Sequence, residues 1–194
     1  MTFVSTPPSF LQRRQRPTRL LATLMGAMLV GGCARIDIND YGQSTPAFDP
    51  FVFFAGDVRA WGLVQDWRGR VTRRFEVTIC GHEEGEVMVL DEAFRYDDGE
   101  TDTRTWRIAR TGDGAYSGTA DDIVGNAIGQ TAGNVMHWVY DLDLLVDGST
   151  YRVAFDDWMW QLDGEALLNR SAIRKFGMKV GEVVLFMRRE TASP

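Results

Sequence analysis

The residue types that could do chemistry in this chain are carboxylates and guanidinium groups laid along strand-like alternations. In residues 151–160, YRVAFDDWMW, one face carries Tyr151, Val153, Phe155, Asp157 and Met159, and the other carries Arg152, Ala154, Asp156, Trp158 and Trp160. Neither face is purely apolar or purely polar, so at least one acid points inward or toward a rim. The same holds for Val139, Asp141 and Asp143 against Tyr140, Leu142 and Leu144. An enclosed carboxylate needs a partner, and Arg73, Arg74, Arg104, Arg107 and Arg152 are available. Because side chains alternate along a strand, Asp156 and Asp157 cannot serve together as acid and base in one pocket, although Asp157 could act with an acid on another strand.

Other catalytic chemistry finds little support. His82 and His137 are the only histidines, and neither stands at ligand spacing from another His or Cys, so no metal is expected. His137, between Met136 and Trp138, reads as a hydrogen-bonded histidine of a core or rim. Cys80 precedes Gly81-His82, but near neighbours at a strand end rarely face one another, and Cys80 reads as a buried, inert thiol. No Gly-x-Ser-x-Gly elbow, phosphate loop or dinucleotide fingerprint occurs, so no cofactor is expected and the chain does not read as an enzyme.

The elements that must position these groups are short and regular. From Phe51 onward apolar residues recur with period two, interrupted by Arg68-Gly69, residues 81–85, Asp97-Asp98-Gly99, Gly112-Asp113-Gly114, Asp147-Gly148, Asp163-Gly164 and Gly177. Seven or more strands joined by tight Asp-Gly-type turns describe an antiparallel meander, and a meander this long closes on itself to remove its edges. The expectation is all-β: an up-and-down barrel of about eight to ten strands over residues 51–190. Residues 121–134, DDIVGNAIGQTAGN, are the exception. Their small residues predict a longer loop with a helical turn, either a lid over a mouth or a plain surface crossover. Trp61 and Gly62 are expected to close or pack one end.

The first 32 residues differ from the rest. Arg13, Arg14, Arg16 and Arg19 precede the apolar run LLATLMGAMLVGG, the layout of a signal peptide and too short a run to span a bilayer as a helix. Val30-Gly31-Gly32-Cys33 resembles the lipobox of bacterial lipoproteins, which implies cleavage before Cys33 and acylation of its thiol and amino group. Residues 33–50 would then form a lipidated tether of polar residues, Gly and Pro, anchoring the protein to a membrane through its N-terminal lipid. Ala34 is not the aspartate that retains many such proteins in the inner membrane, so the expected location is the cell envelope, as an outer-membrane lipoprotein facing the periplasm. Arg13-Arg14 also invites a twin-arginine export reading, but Gln15-Arg16-Pro17 departs from the usual continuation. Loss of residues 1–32 removes four arginines and no acid, moving the net charge from −6 to −10, a balance that disfavours nucleic acid and anionic headgroups as partners.

FFAGDVRAWGLVQDWRGRVTRRF, LDEAFRYDDGE, RTWRI, GTADDIVGNAIGQTAGN, YRVAFDDWMW, LNRSAIRKFG and GEVVLFMRR, in that order, are similar to the bacterial lipoprotein family catalogued as domain of unknown function 3833. The resemblance runs from about Phe51 to Arg188. It implies the lipid anchor, an envelope setting and a lipocalin-like (calycin-like) barrel, and it carries no activity.

A binding barrel accounts for most of these features. Its cavity would hold a hydrophobic or amphipathic ligand such as a fatty acid, with Arg74 or Arg107 facing inward to hold the head group and Tyr151 as hydroxyl donor. Trp61, Trp106 and Trp158 would form walls, and Asp157 would be the inward acid. Each has a plainer role open to it, as core packing or as an ion-pair partner. The alternative is a non-catalytic structural or interaction lipoprotein whose barrel is filled. Least favoured is an envelope enzyme using interior carboxylates. No protein partner is indicated.

Overall fold

In the computed structural model the described residues are 36–146 and 148–190. The signal-peptide and Cys33 lipidation expectations fall outside them. The expectation of an all-β barrel is met: ten antiparallel strands, β1 (Gly56–Asp66), β2 (Val71–Glu84), β3 (Val87–Tyr96), β4 (Thr101–Gly112), β5 (Ala115–Thr119), β6 (Ile123–Ala132), β7 (Val135–Val146), β8 (Ser149–Gln161), β9 (Ala166–Lys175) and β10 (Met178–Arg189), follow one another around a single closed barrel. Each strand pairs with the next in sequence, and β1 pairs with β10, with Trp61 opposite Phe186 and Asp66 opposite Gly181, so no edge is left open.

The two ends of the barrel differ. At one, Tyr41, after a 3-10 turn at Ile38–Tyr41, lies against Gly133 and Trp158, and the chain then runs into a short helix, α1 (Pro50–Phe53), N-capped by the Asp49 carboxylate. Phe48, Phe53 and Phe54 pack edge to face and are buried, joining Val58, Ile79, Met88, Leu167 and Met187 in the core. A Cβ at Gly81 would stand 1.7 Å from the Phe54 carbonyl oxygen, so this glycine admits the plug rather than marking a turn; the β2–β3 turn lies at Gly85 instead. The other end is the mouth, formed by the β1–β2, β3–β4, β5–β6, β7–β8 and β9–β10 turns.

Residues 121–134 are not a lid. They hold β6, bulged between Val124 and Ile128 with Gly125 at positive φ. Their small residues have a packing cause: a Cβ at Gly129 would stand 2.3 Å from the Trp138 ring, and one at Gly118 on β5 would stand 2.7 Å from it. The wall is thin there so that a buried tryptophan can lie flat against it. Trp61 does not close an end either. It lies on the outside, stacked on Phe186 with Arg59 over its ring, while Gly62 faces inward beneath Phe75. Cys80 is exposed rather than buried; partial desolvation by its neighbours, together with Asp57 and Asp91, pushes the thiol pKa up, which keeps it protonated.

Candidate functional site

Alternation places a polar cluster inside the barrel above the packed end. Glu92 on β3 follows the inward register of Leu90 and Phe94 and stands directly opposite Arg104 on β4. Tyr140 on β7 and Asp157 on β8 reach in from the far wall, Asp157 opposite Ser171 of β9, whose hydroxyl donates to the Asn169 side-chain oxygen at 3.0 Å. Arg104 Nε donates to Asp122 Oδ2 at 2.9 Å from the mouth side.

Enclosure dominates the electrostatics. Burial pushes the Asp157 carboxyl up to about 7 against the opposing effect of Ser171, Arg104 and Tyr140. Burial likewise pushes Glu92 up to about 7; Arg104 opposes the rise, and Asp122 and Asp157 add to it. The Tyr140 hydroxyl is raised well above its ordinary value, again mainly by burial. For Arg104, burial works against the charge but is outweighed by Tyr140, Glu92 and Asp122, so the guanidinium stays protonated. The Oδ1 atom of Asp157 is buried without a hydrogen-bond partner, an expense that a native site carries when a ligand or water completes it.

Apolar surface surrounds this cluster on two levels. Below it, Trp106 meets Trp138 and Tyr140 edge to face at 5.7 and 5.2 Å between ring centres, a closed aromatic floor. Above it, Phe75, Phe94 and Tyr96 stack along one wall, Phe155 stacks on Tyr140 along another, and Arg73 lies 3.5 Å over the Tyr96 ring while pairing with Asp98 and Glu100. Unlike the floor, the inward-facing Val64, Phe94, Tyr96, Phe155, Val183 and Leu185 are only partly buried, so solvent reaches them through the mouth.

Of the residues singled out in the sequence, Trp106 and Asp157 are in this enclosure. Arg74 and Arg107 are not, which corrects the expectation that one of them faces inward. Arg74 is paired outside with Asp97 at 3.0 Å and Arg107 with Glu84 at 2.7 Å. Trp106 and Arg107 are neighbours on one strand, as are Asp157 and Trp158, so only one of each pair can point in. Trp158 packs on the outer wall between Tyr41 and His137, where His137 also meets the Asp156 carboxylate at 2.9 Å. Tyr151 keeps the inward register but sits exposed at the rim with Lys175 Nζ 3.9 Å from its ring centre. Trp61 and Arg74 do share a cavity, a groove of about 620 Å³ that also takes in Leu63, Glu76 and Arg95. Glu92, Arg104, Tyr140, Asn169 and Ser171 were missed as site residues; the signal for them was each residue's place in the register of its apolar strand neighbours.

Among the described residues no group of three or more His, Cys, Asp and Glu side chains is arranged to hold a metal ion. A search of the curated proteins finds no match. The barrel is similar to the solved structure of the S-type phycobiliprotein lyase CPES from Guillardia theta, with a TM-score of 0.56 and 10% sequence identity over 82% of this chain and 100% of that one. At that identity the likeness speaks for the fold, a lipocalin-like barrel, and not for the chemistry inside it. The sequence itself matches a family model over residues 27–189, and the chain belongs to that family, described as protein of unknown function DUF3833.

Proposed function

We propose that this protein is a cell-envelope lipoprotein that binds an amphipathic molecule in the mouth half of its barrel, with a fatty acid as the first candidate. The observation that carries the reading is the enclosed set of Glu92, Arg104, Tyr140 and Asp157, with its unpartnered Asp157 oxygen, beneath apolar walls still open to solvent. A ligand carboxylate would accept from Arg104 and from the neutral carboxyls of Glu92 and Asp157, while its chain lies along Phe75, Phe94 and Leu185 toward the mouth. Above pH 7 the two acids ionise and repel a carboxylate, so affinity for a fatty acid falls as pH rises through about 7. A cationic head group would show the opposite trend. Anchoring through Cys33 at the outer membrane, facing the periplasm, is supported by the basic flank, apolar run and Val-Gly-Gly-Cys of the sequence.

The described residues from Ile36 to Glu190 form one compact unit, so the chain from residue 34 can be purified from a periplasm and examined by native mass spectrometry with lipid extraction. A stoichiometric lipid that is lost in Arg104→Met supports the reading. An empty protein that refuses a fatty-acid panel between pH 5 and pH 8 removes it in favour of a filled barrel serving a structural or interaction role. A second reading, proton-transfer catalysis, is favoured by the two carboxyls near neutrality in one enclosure. It predicts that an extracted ligand is chemically altered on incubation with the native protein and left intact by Asp157→Asn. Radiolabelled palmitate incorporation, abolished by Cys33→Ala, tests the anchor.

A further inference from the structure

The mouth carries a second feature, independent of what the barrel holds. Its two adjacent hairpin tips, residues 67–71 between β1 and β2 and residues 175–180 around the β9–β10 turn, contain no acid and expose Trp67 (67% accessible), Val71, Phe176 (90%), Met178 (66%) and Val180. The two hairpins are neighbours because β1 pairs with β10. Cations are interleaved with the apolar groups: Arg68 lies 4.5 Å from the Trp67 ring centre, Lys175 lies between Tyr151 and Phe176, and Arg70 and Lys179 flank them. The acids that pair with Arg70 and Lys179, Asp66 and Glu182, sit below the tips on the strands. The β3–β4 tip, beside the lip because β2 pairs with β3, and the β5–β6 tip beyond it reverse this composition, with Asp97, Asp98, Glu100, Asp102, Asp121 and Asp122 and no exposed large apolar side chain.

Local backbone irregularities flank this lip. Bulges interrupt the β1–β2 and β9–β10 ladders next to it, and such bulges re-aim side chains. Phe176 has a φ of 51° and Gly177 a φ of 78°, a turn in which Asn-Gly is the favoured pair. A bulky side chain in the left-handed region is disfavoured, and among the described residues only the Lys175 ammonium, 5.6 Å from the ring centre, stands beside this almost wholly exposed ring.

We infer that this lip docks the barrel mouth on the surface of an anionic lipid bilayer. Aromatic and methionine side chains with arginine and lysine beside them match the headgroup boundary, where rings enter the interface and cations meet acidic lipids. The acidic β3–β4 and β5–β6 tips are repelled by the same surface, so the barrel tilts onto its basic lip and keeps the rim of the mouth at the membrane. The net negative charge of the chain does not prevent this, because screening over about 8 Å at physiological salt lets the nearest charges decide.

Flotation of the chain from residue 34 with vesicles of phosphatidylcholine alone, or with 30% phosphatidylglycerol, tests the proposal. Binding is expected only with the anionic vesicles, to weaken steeply with salt, and to fall at least tenfold in Trp67→Ser/Phe176→Asn and in Arg68→Ser/Lys175→Ser. The fold is checked by the unfolding midpoint, which Phe176→Asn leaves unchanged or raises. Equal binding to both vesicle types, no binding, or lip variants that bind as the native chain does would overturn it. Concentration-dependent dimers that dissociate in the lip variants, without vesicle binding, would also overturn it and assign the surface to a second copy.

Discussion

The plugged half and the mouth half of the barrel are built from the same ten strands, yet burial is more complete in the first. In the plugged half Phe53, Ile79, Met88 and Leu167 are almost completely buried, and glycines at 81, 118 and 129 stand where a backbone or a tryptophan leaves no room for a Cβ. In the mouth half Phe75, Leu142 and Val153 are buried but Val64, Phe94, Tyr96, Phe155, Val183 and Leu185 stay partly accessible, and Glu92, Arg104, Tyr140 and Asp157 share one enclosure. The contrast teaches that closing the sheet does not by itself bury every inward side chain equally. Stability is concentrated at one end, and the other end can carry buried polar groups whose desolvation works against folding.

Substitutions should separate the halves in a graded way. Phe53→Ala, in the plug, is expected to cost about 3–5 kcal/mol of unfolding free energy in urea titrations, and an equal loss from Phe94→Ala at the mouth would dissolve the distinction. Next in size is the acid pair. Because its folded pKa is raised, Asp157 contributes stability that is complete below about pH 4 and lost as pH rises to about 7, and Glu92 runs the same way. Asp157→Asn should therefore flatten the pH profile and be more stable than the native chain at pH 8, by on the order of 2–4 kcal/mol. A native profile flat from pH 4 to 8 would show that these carboxyls are not enclosed. On the acid side, surface carboxylates such as Asp97 and Glu76, held below their ordinary range by arginine or backbone donors, lose their contribution as pH falls through the carboxylate range.

Smaller effects sharpen the picture of the mouth. Phe94→Ala, partly accessible, should cost about 1–2 kcal/mol and weaken ligand uptake more than it weakens the fold. Phe176→Asn relieves a left-handed phenylalanine and should stabilise by about 1 kcal/mol, read as a rise of a few degrees in Tm. A drop in Tm would mean that the exposed ring packs on something within the chain.

Much of this barrel was legible. Alternation and Asp-Gly turns announced the strands, and the acids on both faces of residues 151–160 announced that at least one carboxylate points inward or toward a rim; Asp157 points inward, with Asp156 outside against His137 and Arg174. The misreadings share a cause. Residues 121–134 looked like a loop because glycine and alanine signal turns in isolation, whereas here they make space for Trp138. Arg74 and Arg107 looked available because sequence displays a charge but not the acid across the strand that neutralises it. Arg104 was on view as a partner, but its place opposite Glu92 depends on the β3–β4 register.

What the sequence determined by itself is the period, the turn positions and therefore an all-β meander with at least one acid inward or at the rim, because side-chain alternation and turn chemistry are local properties of the backbone. Which arginine enters, which half stays open and which hairpin tips gather the exposed aromatics and cations were decided only by the tertiary structure. Those outcomes depend on closure between β1 and β10, on register across strands and on a plug that comes from outside the sheet, and each brings together residues far apart in the chain.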